Sequence, residues 1–357
     1  MGLSDHDDGS CSMNMLAKIK RGRSKISNEQ GVALLLVLWI FIFLFVVAFN
    51  FSNSVRDEAE AAHRFSEDTQ GYYLAVAGFQ RGMYEYLAQS QGKPAQQQPR
   101  PVQQKDNAAD LFDGSWREEE LGGGVSRVRF IDEGGKINLN RADENLLRRI
   151  FTNLKIDEPL KSILVDSILD WIDADDLHRT NGAENDYYQS LSTPYTAKNG
   201  PFDSVEELLW VRGVTPEIFF GSSQETAAGS ETRVGLRQIF TIDSPIDRVN
   251  LRTASAEVIH ALMGISLRKS REFVEERKKL SDKTINDILP LLGLTTTDPA
   301  LQMFVFTNPS VITVQAEGRQ KDSRVPRRVK AVVRATAAAG RLELVRWIDR
   351  DDMPVQD

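Results

Sequence analysis

An uncharged run of apolar residues, Val32 to Phe51 (VALLLVLWIFIFLFVVAFNF), constrains this chain more than any other feature. As a helix, about 20 such residues cross the roughly 30 Å hydrocarbon core of a bilayer, where a helix satisfies its own backbone hydrogen bonds. Just before it, Leu16 to Lys25 carry Lys18, Lys20, Arg21, Arg23 and Lys25 and no acid. Basic flanks stay on the cytoplasmic side. The expectation is a single-pass inner-membrane protein, with its N-terminus cytoplasmic and its C-terminal bulk in the periplasm. A cleaved secretory signal has an apolar core of only about 7–15 residues, followed by an A-x-A-like site. This run is longer, and no such site follows Phe51.

The 357 residues leave room for two or three domains at roughly 150 residues each. A net charge of −7 argues against nucleic acid as the main partner, because phosphate binding needs a surplus of Lys and Arg on one face. With Cys11 as the single cysteine, neither an intrachain disulfide nor a thiolate metal site is expected. The histidines (His6, His63, His178, His260) are scattered, without an HExxH pair. The chain also lacks G-x-S-x-G, a P-loop and a G-x-G-x-x-G after a strand, so no enzyme is expected.

Helical periodicity continues past the apolar run. Phe65, Tyr72, Val76, Phe79, Met83 and Tyr86 form an apolar stripe, which predicts one long helix over 32–88. The Gln- and Pro-rich stretch within 89–114 reads as a linker. Strand-like pieces at 115–120 and 125–132 flank Gly122-Gly123-Gly124 as a hairpin within 115–135. A helical block occupies 136–304. Strands return in 305–350, at 311–316, 329–336 and 342–348, with a turn at Ala339-Gly340. The fold class expected is α+β: a long N-terminal helix, an antiparallel sheet head, and an inserted all-α domain.

The segment SKISNEQG-VALLLVL resembles a type IV prepilin leader, which a dedicated peptidase cuts on the cytoplasmic side of the apolar run, after a glycine. The resemblance implies a leader over 1–31, cleavage between Gly31 and Val32, and methylation of the new amine. Most pilins carry Glu at the fifth mature position; here that position is Leu36. A carboxylate in lipid is costly unless paired, and in pilins its partner is the terminal amine of a neighbouring subunit. A subunit lacking it needs no such neighbour. Leu36 and the interrupted sheet together resemble the protein K family of type II secretion, which is assigned to the pseudopilus tip. That family implies export of folded proteins across the outer membrane. It implies as partners the I- and J-type minor pseudopilins, the major pseudopilin, the prepilin peptidase and the secretin. A minor pilin of a type IV pilus, which shares the same anchor, and a membrane-anchored helix-hairpin-helix DNA receptor stand as the alternatives.

Within the helical block, KINLNRADENLLRRIF (Lys136 to Phe151) echoes RVNLRTASAEVIHALMGI (Arg248 to Ile265). Each reads as an opening followed by a helix, with Ala142 and Ala254 in the first turn and Leu146, Leu147, Val258 and Ile259 facing a core. Val205 to Phe219 and Leu262 to Lys279 resemble helix-hairpin-helix turns, the modules of membrane-anchored DNA receptors. Such turns grip phosphate at a G-h-G hairpin beside a helix N-terminus. Both hairpins have lost the second glycine, to Thr215 and Ser266. Compact helix pairs serving protein contacts are therefore expected.

The segment DWIDADDLHRTNGAENDYYQSL gathers Asp170, Asp173, Asp175, Asp176, Glu184 and Asp186 with Asn181, Asn185 and Gly182. Two readings stand side by side: a solvated acidic loop, or a site for Ca²⁺, which takes six to eight oxygens on a flexible loop. The spacing is not that of an EF-hand. The pattern D-W-x-D-x-D … G-A-E-x-D-Y-Y resembles the signature loop of the protein K family, in which calcium is bound. The resemblance implies Asp173, Asp175, Glu184 and Asp186 as ligands, assisted by Asn185 or a nearby carbonyl. Trp171, Tyr187 and Tyr188 read as packing residues.

Overall fold

The structure, a computed structural model, describes residues 29–90, 111–112, 114–226, 229–280, 284–321, 323, 325–336 and 341–349. The expected leader up to residue 28, most of the Gln- and Pro-rich linker and the Ala339-Gly340 turn lie outside these residues. The chain divides into two units, Met1–Arg64 and Phe65–Asp357.

In the first unit the helix Glu29–Ser90 begins, and it carries the apolar run. Every side chain from Val32 to Phe51 is exposed, Leu36 among them. This helix is long and apolar enough to cross a membrane. So continuous an apolar surface is consistent with a membrane anchor.

In the second unit a five-stranded antiparallel sheet runs in the order Arg117–Leu121, Gly124–Asp132, Val311–Gln320, Arg327–Thr336, Arg341–Ile348. Register places Phe130 opposite Val314 and Val314 opposite Ala331. Strand residues alternate between faces, so Val128, Phe130, Ile312, Val314, Ala316, Val329, Ala331 and Val333 come to one side. There they pack with Tyr72, Ala75, Val76, Phe79, Met83 and Tyr86 of the helix. Phe65, expected on this stripe, is instead 73% exposed. The helix meets the sheet from Asp68, which pairs with Arg327, and at Gly71 an added Cβ would stand 3.1 Å from the carbonyl O of Gly318. At Gly318 an added Cβ would collide with the backbone O of Gly71 and N of Ala75.

Residues between the second and third strands of the sheet form a second hydrophobic core. Helices Glu144–Asn153, Leu160–Ile172, Ala256–Met263 and Leu267–Lys278 bury Leu147, Ile150, Phe151, Leu164, Ile168, Val258, Ile259 and Phe273 around Tyr188 and Phe219. The insertion is not all-α. A hairpin pairs Gly221–Thr226 with Gly229–Val234, and two-residue parallel pairs join Ile137–Asn138 to Phe240–Thr241 and Val249–Asn250 to Phe304–Val305. Pairs this short leave no period-two signal.

The two echoing segments share one local design. Asn138 accepts from the N–H of Asn140, and Asn250 from that of Arg252. The N-caps Asp143 and Ser255 then accept from Leu146 and Val258. Ala142 and Ala254 are buried just before these caps rather than in the first turn. Where a helix-hairpin-helix module has its second glycine, Ser266 and Thr215 put a hydroxyl on the N–H of Lys269 and Ile218. These side chains take up donors that a phosphate would need.

A polar seam joins sheet to insertion. Buried Asp132 accepts from Gly134 N (2.9 Å), Asn250 Nδ2 (2.8 Å) and Thr253 Oγ1 (2.7 Å). Glu133, also buried, accepts from Thr241 Oγ1. Arg346 of the last strand pairs with Asp243 at 2.7 Å. Buried polar groups that are fully bonded fix one relative placement of the layers they join.

Candidate cation site

The helix Leu160–Ile172 buries Leu164, Val165, Ile168 and Trp171. Asp166 and Asp170, one turn apart on this helix, are buried as well and organise the loop that follows. Asp166 accepts from both the N–H and the side-chain amide of Asn181, each at 3.0 Å. Asp170 takes the Arg179 N–H at 3.1 Å and the Arg179 Nη1 at 2.6 Å. Gly182 is required here, since a Cβ would collide with the Asp170 carboxylate. The same Arg179 nitrogen holds Asp173 by Oδ2 at 2.6 Å, which leaves Asp173 Oδ1 buried and without a partner.

Glu184 is the most unusual residue of the loop. It is 1% exposed, and neither carboxylate oxygen has a hydrogen-bond partner. Burial, and then the negative charges of Asp170, Asp173, Asp176 and Asp175, push its pKa up to about 7. A buried carboxylate with no donor is strongly unfavourable unless it is protonated or faces a cation. A fourth buried oxygen without a partner belongs to Asn199. Around these atoms Asp176 Oδ1 accepts from Asn185 Nδ2 (2.6 Å) and Asn199 Nδ2 (3.0 Å). An aromatic wall backs the loop: Trp171 meets Tyr188 edge-on at 5.3 Å and stacks on Phe202 at 6.3 Å.

The orphaned atoms of Asp173, Glu184 and Asn199 are oxygens, the donor type of hard cations such as calcium, while Trp171 Nε1 in the wall is also without a partner. Among the described residues no three His, Cys, Asp or Glu side chains gather as a ready-made metal site, so carboxylates alone do not complete a cage. The structure brings Asp173 and Glu184 into one electrostatic neighbourhood with Asp175. Asn185 and Asp186, expected as ligands, each have an oxygen engaged by a main-chain donor. The Asn185 oxygen accepts the N–H of Ala197 at 2.9 Å, and exposed Asp186 accepts the N–H of Tyr187 at the start of the helix Asn185–Gln189. Asn199 lies beyond the acidic motif; its one sequence signal was the Asn-Gly turn pair it forms with Gly200. Gly31, Val32 and Leu36 lie on the first-unit helix, apart from this loop in sequence.

Residues 131–220, which include the whole loop, match the family described as type II secretion system (T2SS), protein K. In this stretch the chain is similar to the type II secretion protein K family. A protein K sequence of Escherichia coli (strain K12) is 25% identical over 54% of this chain and 61% of its own length. Protein K of Pseudomonas aeruginosa is 27% identical over 43% of this chain and 45% of its own length. That of Aeromonas hydrophila is 36% identical over 20% and 22%. The chain thus spans less than two thirds of the protein K relatives it matches. In fold it is similar to a chain of the crystal structure of the GspK-GspI-GspJ complex from enterotoxigenic Escherichia coli. The TM-score is 0.58 at 14% identity, covering 81% of this chain and 98% of that one.

Proposed function

We propose that this chain is a minor pseudopilin of a type II secretion system, placed at the pseudopilus tip and required for export of folded proteins across the outer membrane. The observation that carries this reading is the helix Glu29–Ser90: it holds a membrane-length apolar run with Leu36 in place of the pilin glutamate, then a segment packed on an antiparallel sheet. After cleavage between Gly31 and Val32 the apolar helix stays on the protein and packs beside the helices of I- and J-type partners. The similarity to a chain of the GspK-GspI-GspJ complex supports that choice of partners. Without a carboxylate at Leu36 the subunit needs no neighbour on its distal side, and the bulky insertion caps the fibre.

Mass spectrometry of the membrane-extracted protein tests this. The expected mass is that of a chain starting at Val32, with one methyl group on its amine. A chain retaining residues 1–31 in cells that contain the peptidase would overturn the reading. Removing the protein is expected to leave the system's cargo in the periplasm, scored by fractionation and blotting.

The acidic loop is, on the same reading, a calcium site held by Asp173 and Glu184 with Asp175. Bound calcium would neutralise the crowded carboxylates and fix the loop against the Trp171 wall. Saturating calcium is expected to raise the melting temperature of the detergent-solubilised protein over that in chelator by roughly 5–10 °C. This corresponds to about 3 kcal/mol of linkage at 100-fold excess over Kd. Identical melting in calcium and chelator would rule the site out.

A further inference from the structure

The calcium reading leaves the cage short of oxygens, and the geometry points to Asn199 as a neutral ligand delivered by a second segment of chain. Its side-chain oxygen is buried and unpartnered, as are Asp173 Oδ1 and both oxygens of Glu184. The orientation of the amide is settled by its nitrogen, which donates to the Asp175 carbonyl at 3.1 Å and to Asp176 Oδ1 at 3.0 Å. Reversing the amide would set its oxygen against two other oxygens, so the end left over is the acceptor. Asn199 also adopts a left-handed backbone, φ 48°, a conformation that Asn tolerates better than most residues. The next residue, Gly200, anchors the segment by donating its N–H to the Trp171 carbonyl at 3.2 Å. Because fewer than three carboxylates converge, an amide oxygen is the kind of donor the set lacks. Ligation by Asn199 would tie the 196–200 segment to the Asp173–Glu184 loop, so that one cation closes both.

This inference rests on the calcium reading, and the test separates the two. Full-length protein in detergent is titrated with Ca²⁺ by calorimetry. It is then loaded with Tb³⁺, excited through Trp171, and luminescence lifetimes in H₂O and D₂O count the waters on the ion. Asn199→Gly removes the oxygen at a backbone angle glycine accepts. It is expected to weaken calcium at least 10-fold and to add about one water to bound terbium. Asn199→Asp keeps an oxygen but loses the amide donors, and is expected to bind calcium as tightly as wild type or tighter, with the wild-type water count. If Asn199 only positions Asp176, both variants weaken binding alike, and that result overturns the proposal. Wild-type affinity and hydration in Asn199→Gly overturn it too. No binding by the wild type defeats the calcium reading itself and the ligand role with it.

Discussion

Glu184→Gln is expected to be more stable than the wild type in chelator and less stable than it in saturating calcium. In chelator the wild type holds a carboxylate that is 1% exposed, without a donor, and raised from 4.5 to about 7. A carboxyl whose folded pKa is raised binds its proton more tightly in the native state. Rising pH between about 4.5 and 7 therefore favours unfolding, and below about 4.5 the penalty vanishes. Above pH 7 its upper bound is about 3 kcal/mol. Asp170, also raised by burial, acts in the same direction. Glutamine keeps the shape and removes the charge. In chelator at pH 8 the variant is expected to melt roughly 5 °C or more above wild type, and with it at pH 4.5. In saturating calcium the order inverts, because the wild type gains the linkage energy and the variant has lost a charged ligand. Calorimetry on both proteins across pH, with and without calcium, reads the crossing directly. A variant that is less stable than wild type in chelator at every pH would mean Glu184 is already satisfied by the fold, and the cation site would lose its main support.

Legibility in the sequence divides along physical lines. Features written in long periods were readable: the apolar run, the helical stripe from Tyr72 to Tyr86, and the strands around Phe130, Val314 and Val332. Each repeats a burial preference over several residues. The echo of Asn138 in Asn250 was readable because both openings solve the same capping problem with the same residue types. Where a single contact decides the outcome, the sequence was silent. Phe65 continues the stripe in period but precedes Asp68, from which helix and sheet meet. The hairpin Gly221–Thr226 with Gly229–Val234 consists largely of polar and small residues that show no apolar alternation. In the acidic loop, composition marked the neighbourhood but not the donors. Asp186 and Glu184 are two residues apart and look equivalent on paper, yet one is exposed and bonded to Tyr187 N while the other is buried without a partner. Asn199 is set in place by its amide bonds to Asp175 and Asp176, which only the folded loop creates.

The other large effect is expected in the head, at Gly318→Ala. Strand Val311–Gln320 is central in the sheet, and at Gly318 it approaches the backbone of the long helix closely. A methyl group there meets main-chain atoms, the O of Gly71 and the N of Ala75, and not the movable end of a side chain. Neither strand nor helix can yield locally: the strand is paired on both sides, Gly318 with Ser126 and with Arg327, and the helix is held by Ala75 and Met83 in the shared core. Relief requires helix and sheet to separate, opening gaps among Val128, Phe130, Val314 and Ala331. The cost is expected near the upper end for overpacking, roughly 3 kcal/mol. The reciprocal substitution, Gly71→Ala, provides the contrast. Its methyl would stand 3.1 Å from the Gly318 carbonyl and 3.2 Å from Arg327 Cγ, distances relieved by a few tenths of an ångström. Alanine also gains about 1 kcal/mol of helix propensity over glycine, so Gly71→Ala is expected within about 1 kcal/mol of wild type. Urea unfolding of the two variants in detergent, followed by near-ultraviolet circular dichroism of the aromatic core around Phe79 and Trp347, measures the difference. Equal stability of Gly318→Ala and wild type would show that the helix does not lie on the sheet at this distance. The head would then have to be held together in some other way.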